Sequence, residues 1–421
     1  MADKKIVIVG AGFGGLTLAK QLEHSNFQIT LIDKVNHHLF QPLLYQVAMA
    51  ALSPGDIAVP IRSVFRGTKR IEVLMKEVVL FDKDKKRVYT INNDTKEFIE
   101  YDYLVIAVGN KHSYFGKNEW EKYAPGLKTL NDALTIREKV FSSLELAEQL
   151  HKIDESIQYL TFVIVGGGPT GVELAGALAE ILIENVKKDY INIDARKINI
   201  YLIEGFDRIL PSFPAELSHK ALIDLEDLGV KILLNTRVTD INEKEVMIGD
   251  KIIKTRNIIW AAGNEVQPLV KTLNVPFDKF GRIITERNLT IKKYPEIFVI
   301  GDVAAIKDEK GDYLPAVAQV AIQQGKFVAK IIQGEGGINK NQVFKYNDRG
   351  TLATIGRAKA VAVIKGFKFT GLFAWLLWVF VHILFLIGFR NKVLVIVEWI
   401  WYYFSLKPGI RLIIPRQDTL K

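Results

Sequence analysis

The chain has no cysteine among its 421 residues. That excludes a disulfide scaffold, Cys-ligated zinc or iron–sulfur clusters, a thiolate nucleophile and a redox-active disulfide. It also leaves no sign of an oxidising compartment. The first residues run straight into an apolar strand, with neither a long hydrophobic segment nor a small-residue cleavage site, so no signal peptide is expected. Long hydrophobic runs are scarce. There is one, residues 371–389, interrupted only by His382. With 49% apolar and 24% charged residues the chain is not a disordered polymer, and its length suits two or three domains with ample core.

The net charge of +9 is unevenly spread. Residues 356–421 hold ten Lys and Arg (Arg357, Lys359, Lys365, Lys368, Arg390, Lys392, Lys407, Arg411, Arg416 and Lys421) against Glu398 and Asp418. The rest of the chain is therefore almost neutral. The same tail holds Trp375, Trp378, Trp399 and Trp401, four of the six tryptophans. Nucleic acid is not expected as a partner, because the basic residues flank an apolar block and do not alternate with polar ones. Residues 371–389 are just long enough to span a bilayer. Positive charge on both flanks gives no orientation signal for a span, however, and suits a segment lying in the interface with cations on lipid phosphates. Residues 393–406 are too short to span and rich in aromatics. The expectation is a monotopic anchor on a bilayer surface, with a single span near residues 371–389 as the alternative.

Two stretches carry a nucleotide fingerprint. Lys5-Ile6-Val7-Ile8-Val9 reads as a strand and leads into Gly10-Ala11-Gly12-Phe13-Gly14-Gly15 and a helix start. In the spacing Gly10-x-Gly12-x-x-Gly15 the first glycine permits a tight turn. The second lets backbone approach a pyrophosphate at the helix N-terminus, and the third lets helix pack on strand. A second strand ends in Asp33, whose carboxylate can accept from ribose hydroxyls. The pattern recurs as Phe162-Val163-Ile164-Val165 followed by Gly166-x-Gly168-x-x-Gly171, with a later strand ending in Glu204. The longer gap there is accounted for by a helix with an extended end over residues 180–196. Glu204 would repel a 2′-phosphate and no Arg immediately follows it, so NADH is preferred over NADPH. Two dinucleotide halves imply two dinucleotides, most economically FAD and NADH. The fingerprints do not decide which half holds which.

Two further strands, residues 103–106 and 257–260, run into the small-residue turns Ala107-Val108-Gly109 and Ala261-Ala262-Gly263. Each would close one nucleotide domain. Ile297-Phe298-Val299-Ile300-Gly301-Asp302 is another buried strand, and it comes after the second half, so the chain returns to its first domain there. The expected fold is α/β: two Rossmann-like dinucleotide-binding domains, the second inserted in the first, plus a C-terminal helical membrane-associating region. The expected boundaries are 1–120 and 273–335 for the first domain, 121–272 for the second and 336–421 for the tail.

With these motifs the chain resembles the two-dinucleotide-binding flavoproteins, and within them the type II NADH:quinone oxidoreductases, single-subunit NADH dehydrogenases that pump no protons. The resemblance covers nearly the whole chain. Residues 37–48 (HHLFQPLLYQVA) are similar to that family's flavin-adjacent stretch, residues 318–323 (AQVAIQ) to its quinone-site helix, and residues 375–390 to its membrane-associating region. The resemblance assigns FAD to the N-terminal half and the Gly-Asp strand, and NADH to the inserted half. It implies that Gly10, Gly12, Phe13, Gly14, Gly15 and Asp33 hold the adenosine and pyrophosphate of FAD, and Gly301 and Asp302 its ribityl–phosphate part. Gln41, Ala107, Gly109, Gln319 and Val320 would lie beside the flavin. Gly166, Gly168, Gly171, Glu204, Ala262 and Gly263 would hold NADH.

The candidate catalytic set is Glu173, Gln319 and Gln323. Glu173 follows the second fingerprint by two residues and is expected in the first turn of a helix. By resemblance it helps a proton reach the reduced flavin or quinone; the bland alternative is an acid stabilised by the helix dipole. Gln319 and Gln323 are four apart on a helix expected after Pro315, so they share a face and suit quinone carbonyls; the alternative is a solvated or loop-bonded amide pair. His382 is expected to face headgroups or bond within the tail, and His37 and His38 are given no chemistry. The resemblance implies a membrane quinone as acceptor, a position on the cytoplasmic face of the inner membrane, and admits a homodimer. A soluble NAD(P)H-dependent ferredoxin- or rubredoxin-type reductase needs no apolar anchor, and a non-enzymatic flavoprotein needs no Glu173, Gln319 or Gln323. Disulfide reductases, NADH peroxidases and sulfide:quinone oxidoreductases rely on cysteines this chain lacks.

Overall fold

The computed structural model describes residues 4–92, 95–150, 153–334, 342–405 and 410–413. Lys407, Arg416, Asp418 and Lys421 of the basic tail, and the 335/336 boundary, lie outside the described residues. The chain forms two compact units. One comprises Met1–Leu39, Ala58–Lys111 and Asn264–Asp348; the other comprises Phe40–Ile57, His112–Gly263 and Arg349–Lys421.

The first unit is built on a six-stranded sheet in the order Thr290–Ile291, Tyr294–Val299, Tyr103–Ile106, Lys5–Val9, Gln28–Asp33, Ile71–Met75. All neighbours but the first pair run parallel. Central strands such as Lys5–Val9 are almost wholly apolar because helices and loops bury both faces of a parallel sheet. The helices Phe13–Gln21 and Ala318–Gln333 pack together. They approach closely at Gly325, where a Cβ would stand 2.6 Å from the Gly14 carbonyl oxygen. The late Tyr294–Val299 strand pairs with Tyr103–Ile106, so the return of the chain to this sheet is as expected.

The second unit repeats the theme on a four-stranded parallel sheet in the order Val230–Leu233, Asn199–Ile203, Thr161–Val165, Asn257–Trp260. The Leu130–Gln149 helix starts with a Thr129/Asp132 capping box. The tail belongs to this unit. An antiparallel sheet of Thr351–Gly356, Lys359–Ile364 and Phe367–Thr370 leads into the helices Gly371–Phe385 and Phe389–Ser405. Gly176 lets this sheet approach the Pro169–Asp189 helix, since any Cβ there would collide with the Ile355 carbonyl oxygen.

The structure corrects one alternative. The apolar run is not one helix: Gly371–Phe385 has 15 residues, and the chain turns before Phe389 at Gly388, with φ +88°. Fifteen residues rise only about 22 Å, short of a hydrocarbon core of about 30 Å. Among the described residues no helix is long and apolar enough to cross a membrane.

Candidate functional site

The two fingerprints are built alike, each at the carboxyl ends of its parallel sheet, where such folds bind ligands. In the first, Gly10 has φ +102° and its N–H donates to Ile32 O (2.8 Å). Gly12 is the N-cap of the Phe13–Gln21 helix, with no side-chain cap. A Cβ on Gly12 would meet nothing within 4 Å, whereas one on Gly15 would collide with the Gly10 carbonyl oxygen. Gly14 is buried against Ile300, and Ala107 is packed behind the turn. Asp33 closes the loop, its carboxylate accepting from the N–H of Ala11 (2.7 Å) and of Val35 (3.0 Å). Burial raises its pKa, outweighing both bonds.

The second fingerprint repeats each contact. Gly166 has φ +111° and donates to Ile203 O (2.8 Å); Gly168 is the N-cap of Pro169–Asp189, with open space at its Cβ position; Gly171 has no room for one against Gly166 O. Glu204 is 8% exposed and accepts from the N–H of Gly167 (2.6 Å) and of Phe206 (2.9 Å). Gly263, at φ +70°, sits against Phe115 with Ala262 half-buried beside it.

Each loop therefore offers an uncapped helix N-terminus, a glycine facing open space and a carboxylate at the next strand end. Such a cradle of donors, open space and a carboxylate suits a dinucleotide pyrophosphate and ribose. His38, which sequence reasoning left without a role, joins the first cradle. Its ring is 2% exposed and edge-on to Phe13, and Nδ1 donates to Ala11 O (2.8 Å). Nε2 is buried without a partner among the described residues, an orphan consistent with a bound group supplying one. Burial holds this histidine below its ordinary pKa.

The Gly301–Val303 turn follows Tyr294–Val299, with Gly301 at φ +75° and Asp302 half-buried. The Gly301 N–H donates to Oε1 of Gln324 (2.6 Å), a 1%-exposed residue that no sequence signal marked. Gln319 and Gln323 lie half-buried on Ala318–Gln333, with Val320 in the core. Gln323 is engaged by a loop: Nε2 donates to Asn347 O (2.9 Å) and Oε1 accepts from Asn347 N–H (3.0 Å). Gln41 opens a 3-10 turn and donates to Lys128 O (3.2 Å). Gly109 has φ +64° and open space around it.

Glu173 lies beyond the first turn of Pro169–Asp189. It lines a pocket with Tyr45, Thr354, Trp375, Trp378 and Trp399. Burial drives its pKa up to about 8, although the Thr354 backbone and the Trp378 side chain favour the charged form. Its place beyond the first turn also takes it away from the helix end where the dipole acts most strongly. A hydrogen-bond chain flanks the pocket: Trp399 Nε1 donates to Gln46 Oε1 (2.7 Å), and Gln46 Nε2 donates to the Tyr45 hydroxyl (2.9 Å). His382 bonds within the tail, Nδ1 to Trp378 O (2.7 Å), and stacks on Trp378. Its burial pushes its pKa down to about 4, so it is neutral near pH 7.

Comparison with known proteins covers nearly all of the chain. Residues 4–325 match the family described as pyridine nucleotide-disulphide oxidoreductase, and residues 349–405 match the NDH2 C-terminal domain. The chain is 37% identical to the type II NADH:quinone oxidoreductase Ndh of Mycobacterium tuberculosis, over 96% of this chain and 89% of the relative. It is 32% identical to the type II NADH:quinone oxidoreductase of Staphylococcus haemolyticus, over 87% and 91%. The fold matches the structure of NDH2 from Plasmodium falciparum in complex with NADH, with a TM-score of 0.90 at 23% identity, covering 98% of this chain and all of that one.

Proposed function

The chain belongs to the type II NADH:quinone oxidoreductase family, and on that footing we propose that its first fingerprint holds FAD and its second NADH. It is an FAD-dependent enzyme that passes electrons from NADH to a quinone without pumping protons. The observation that carries the site assignment is the duplicated cradle, with Gly12 and Asp33 in one copy and Gly168 and Glu204 in the other. FAD, when bound, supplies the two-electron carrier between donor and acceptor. The chain's own residues bind, orient and manage protons. Uncapped helix N-termini at Gly12 and Gly168 face the pyrophosphates, and Asp33 and Glu204 meet ribose hydroxyls. Glu173 holds a proton at neutral pH on a carboxyl buried among aromatics, and can deliver it when quinone reduction requires one. Gln319 and Gln323 would meet quinone carbonyls, Gln323 by releasing its bonds to Asn347.

The test is an anaerobic stopped-flow measurement on the holoenzyme. NADH should bleach the flavin absorbance, and a quinone should restore it. Bleaching that a quinone does not reverse would favour a protein acceptor instead.

The tail is proposed to hold the enzyme on the cytoplasmic face of the inner membrane, lying in the lipid surface. Ala374 and Trp378 of Gly371–Phe385 face the protein, 0% and 2% exposed. Leu372, Leu376, Phe380 and Leu384, one turn apart, are each at least half exposed, and Val393, Val397, Ile400 and Trp401 continue the apolar surface on the next helix. Arg390 is exposed beside them. Deleting the tail would also remove Trp375, Trp378 and Trp399 from the wall of the Glu173 pocket, so substitution is the cleaner probe. Exchanging Leu376, Phe380, Leu384 and Ile400 for Gln should lower partitioning into anionic vesicles at least about 100-fold while the flavin stays bound. Unchanged partitioning would remove this surface from the anchor.

A further inference from the structure

No arginine directly follows Glu204 in the chain, and the fold supplies one from elsewhere. The Val230–Leu233 strand lies beside Asn199–Ile203, and the pairing continues past both ends. The Glu204 N–H donates to Leu233 O, the Thr236 N–H to Glu204 O and the Asn235 N–H to Phe206 O, each at 2.9 Å. Asn235 turns the chain in the left-handed region, with φ +51°. Arg237 is thereby carried across Gly205, its Cγ 3.6 Å and its Nε 3.7 Å from where a Cβ would stand. Arg237 is exposed and makes no hydrogen bond or ion pair among the described residues. Arg208, by contrast, donates to Pro211 O (3.1 Å). Phe206, 62% exposed, offers a flat apolar face next to the same glycine.

We propose that Arg237 faces the 2′ position of the adenosine ribose of the bound nicotinamide dinucleotide, as a latent anchor for a 2′-phosphate that the Glu204 carboxylate keeps out. The proposal rests on the reading that the second fingerprint binds NADH. Glu204 accepts from ribose hydroxyls and repels a phosphate, while a guanidinium pairs with a phosphate through two parallel N–H donors and gains little from a hydroxyl. The preference for NADH then comes from the acid outweighing a cation already in place. Removing the acid's charge releases that cation.

The test compares kcat/KM for NADH and NADPH in the holoenzyme and in Glu204→Gln, Arg237→Gln, Arg237→Lys and the double variants. Gln at 204 retains an acceptor for the Gly167 N–H. Glu204→Gln should raise the NADPH-to-NADH ratio at least about tenfold; adding Arg237→Gln should abolish most of that gain, and adding Arg237→Lys should keep part of it. The gain should shrink with salt, and 2′,5′-ADP should inhibit Glu204→Gln more strongly than the double variant with Gln at 237. Lys251→Gln, an equal change in net charge on an exposed strand, should leave the ratio as it is. A gain that survives Arg237→Gln overturns the proposal, and so does a Glu204→Gln enzyme that binds NADH more weakly without gaining NADPH. If neither Glu204→Gln nor Gly168→Ala alters the KM of either nucleotide, the underlying site assignment fails instead.

Discussion

Glu173→Gln is expected to make the protein more stable above neutral pH and much slower with quinone. The Glu173 carboxyl has an ordinary pKa of 4.5 and is raised to about 8 in the fold. The folded state therefore binds more protons than the unfolded state between those values, so this group's contribution to stability is lost as pH rises from about 4.5 to about 8. At about 1.4 kcal/mol per unit, the cost of keeping it protonated in the fold while the unfolded carboxyl ionises reaches roughly 3 kcal/mol by pH 7. Gln keeps the shape and removes the charge. The melting temperatures of parent and variant should converge near pH 5 and separate by several degrees at pH 8, with the variant higher. Parallel pH profiles would show that the carboxyl is not titrating in that window. Turnover with quinone should fall roughly 10²-fold, the usual loss on removing a positioned proton donor. Flavin bleaching by NADH should change little, because the hydride itself needs no proton from Glu173. The parent's turnover should also decline above pH 8, as this proton is lost, and the variant should lack that limb.

The second large effect separates glycines that serve a ligand from glycines that serve the backbone. Gly12→Ala and Gly168→Ala place a methyl group in open space, so both variants should fold with little change in melting temperature. The methyl would occupy the cradle itself. Gly12→Ala should weaken FAD retention at least tenfold, read from flavin absorbance after dialysis, whereas Gly168→Ala should keep its flavin and raise the KM for NADH by about the same factor. Gly15→Ala and Gly171→Ala drive a Cβ into the carbonyl oxygens of Gly10 and Gly166, and each should destabilise its unit by about 3 kcal/mol or more. Equal losses of ligand and stability in all four variants would mean that the open space at Gly12 and Gly168 is not where the dinucleotides bind.

The parts of this molecule that depend on local geometry were legible from the residues alone. A strand followed by Gly-x-Gly-x-x-Gly must turn tightly and start a helix close to the strand. Asp33 and Glu204 could be placed because a strand ends where its apolar run ends. The uneven charge and the aromatic tail likewise announced an unusual surface before any coordinates. The tail's packing was not legible: Gly388 breaks the run that looked long enough to span, and only the sheet behind the helix decides that Trp378 turns inward while Phe380 stays out.

The sequence by itself determined that the chain holds two dinucleotide loops, a cysteine-free redox route and a basic apolar tail, because each follows from residue type and spacing within a few turns of chain. Tertiary structure decided the electrostatics. Glu173 is an acid that keeps its proton because the fold buries it with residues far along the chain, and that burial outweighs the Thr354 and Trp378 contacts that favour its charged form. Gln323 is tied to Asn347, and Arg237 reaches Gly205, through pairings between distant segments. Burial and long-range pairing set the charge state and partners of a side chain, and neither is a property of its neighbours in sequence.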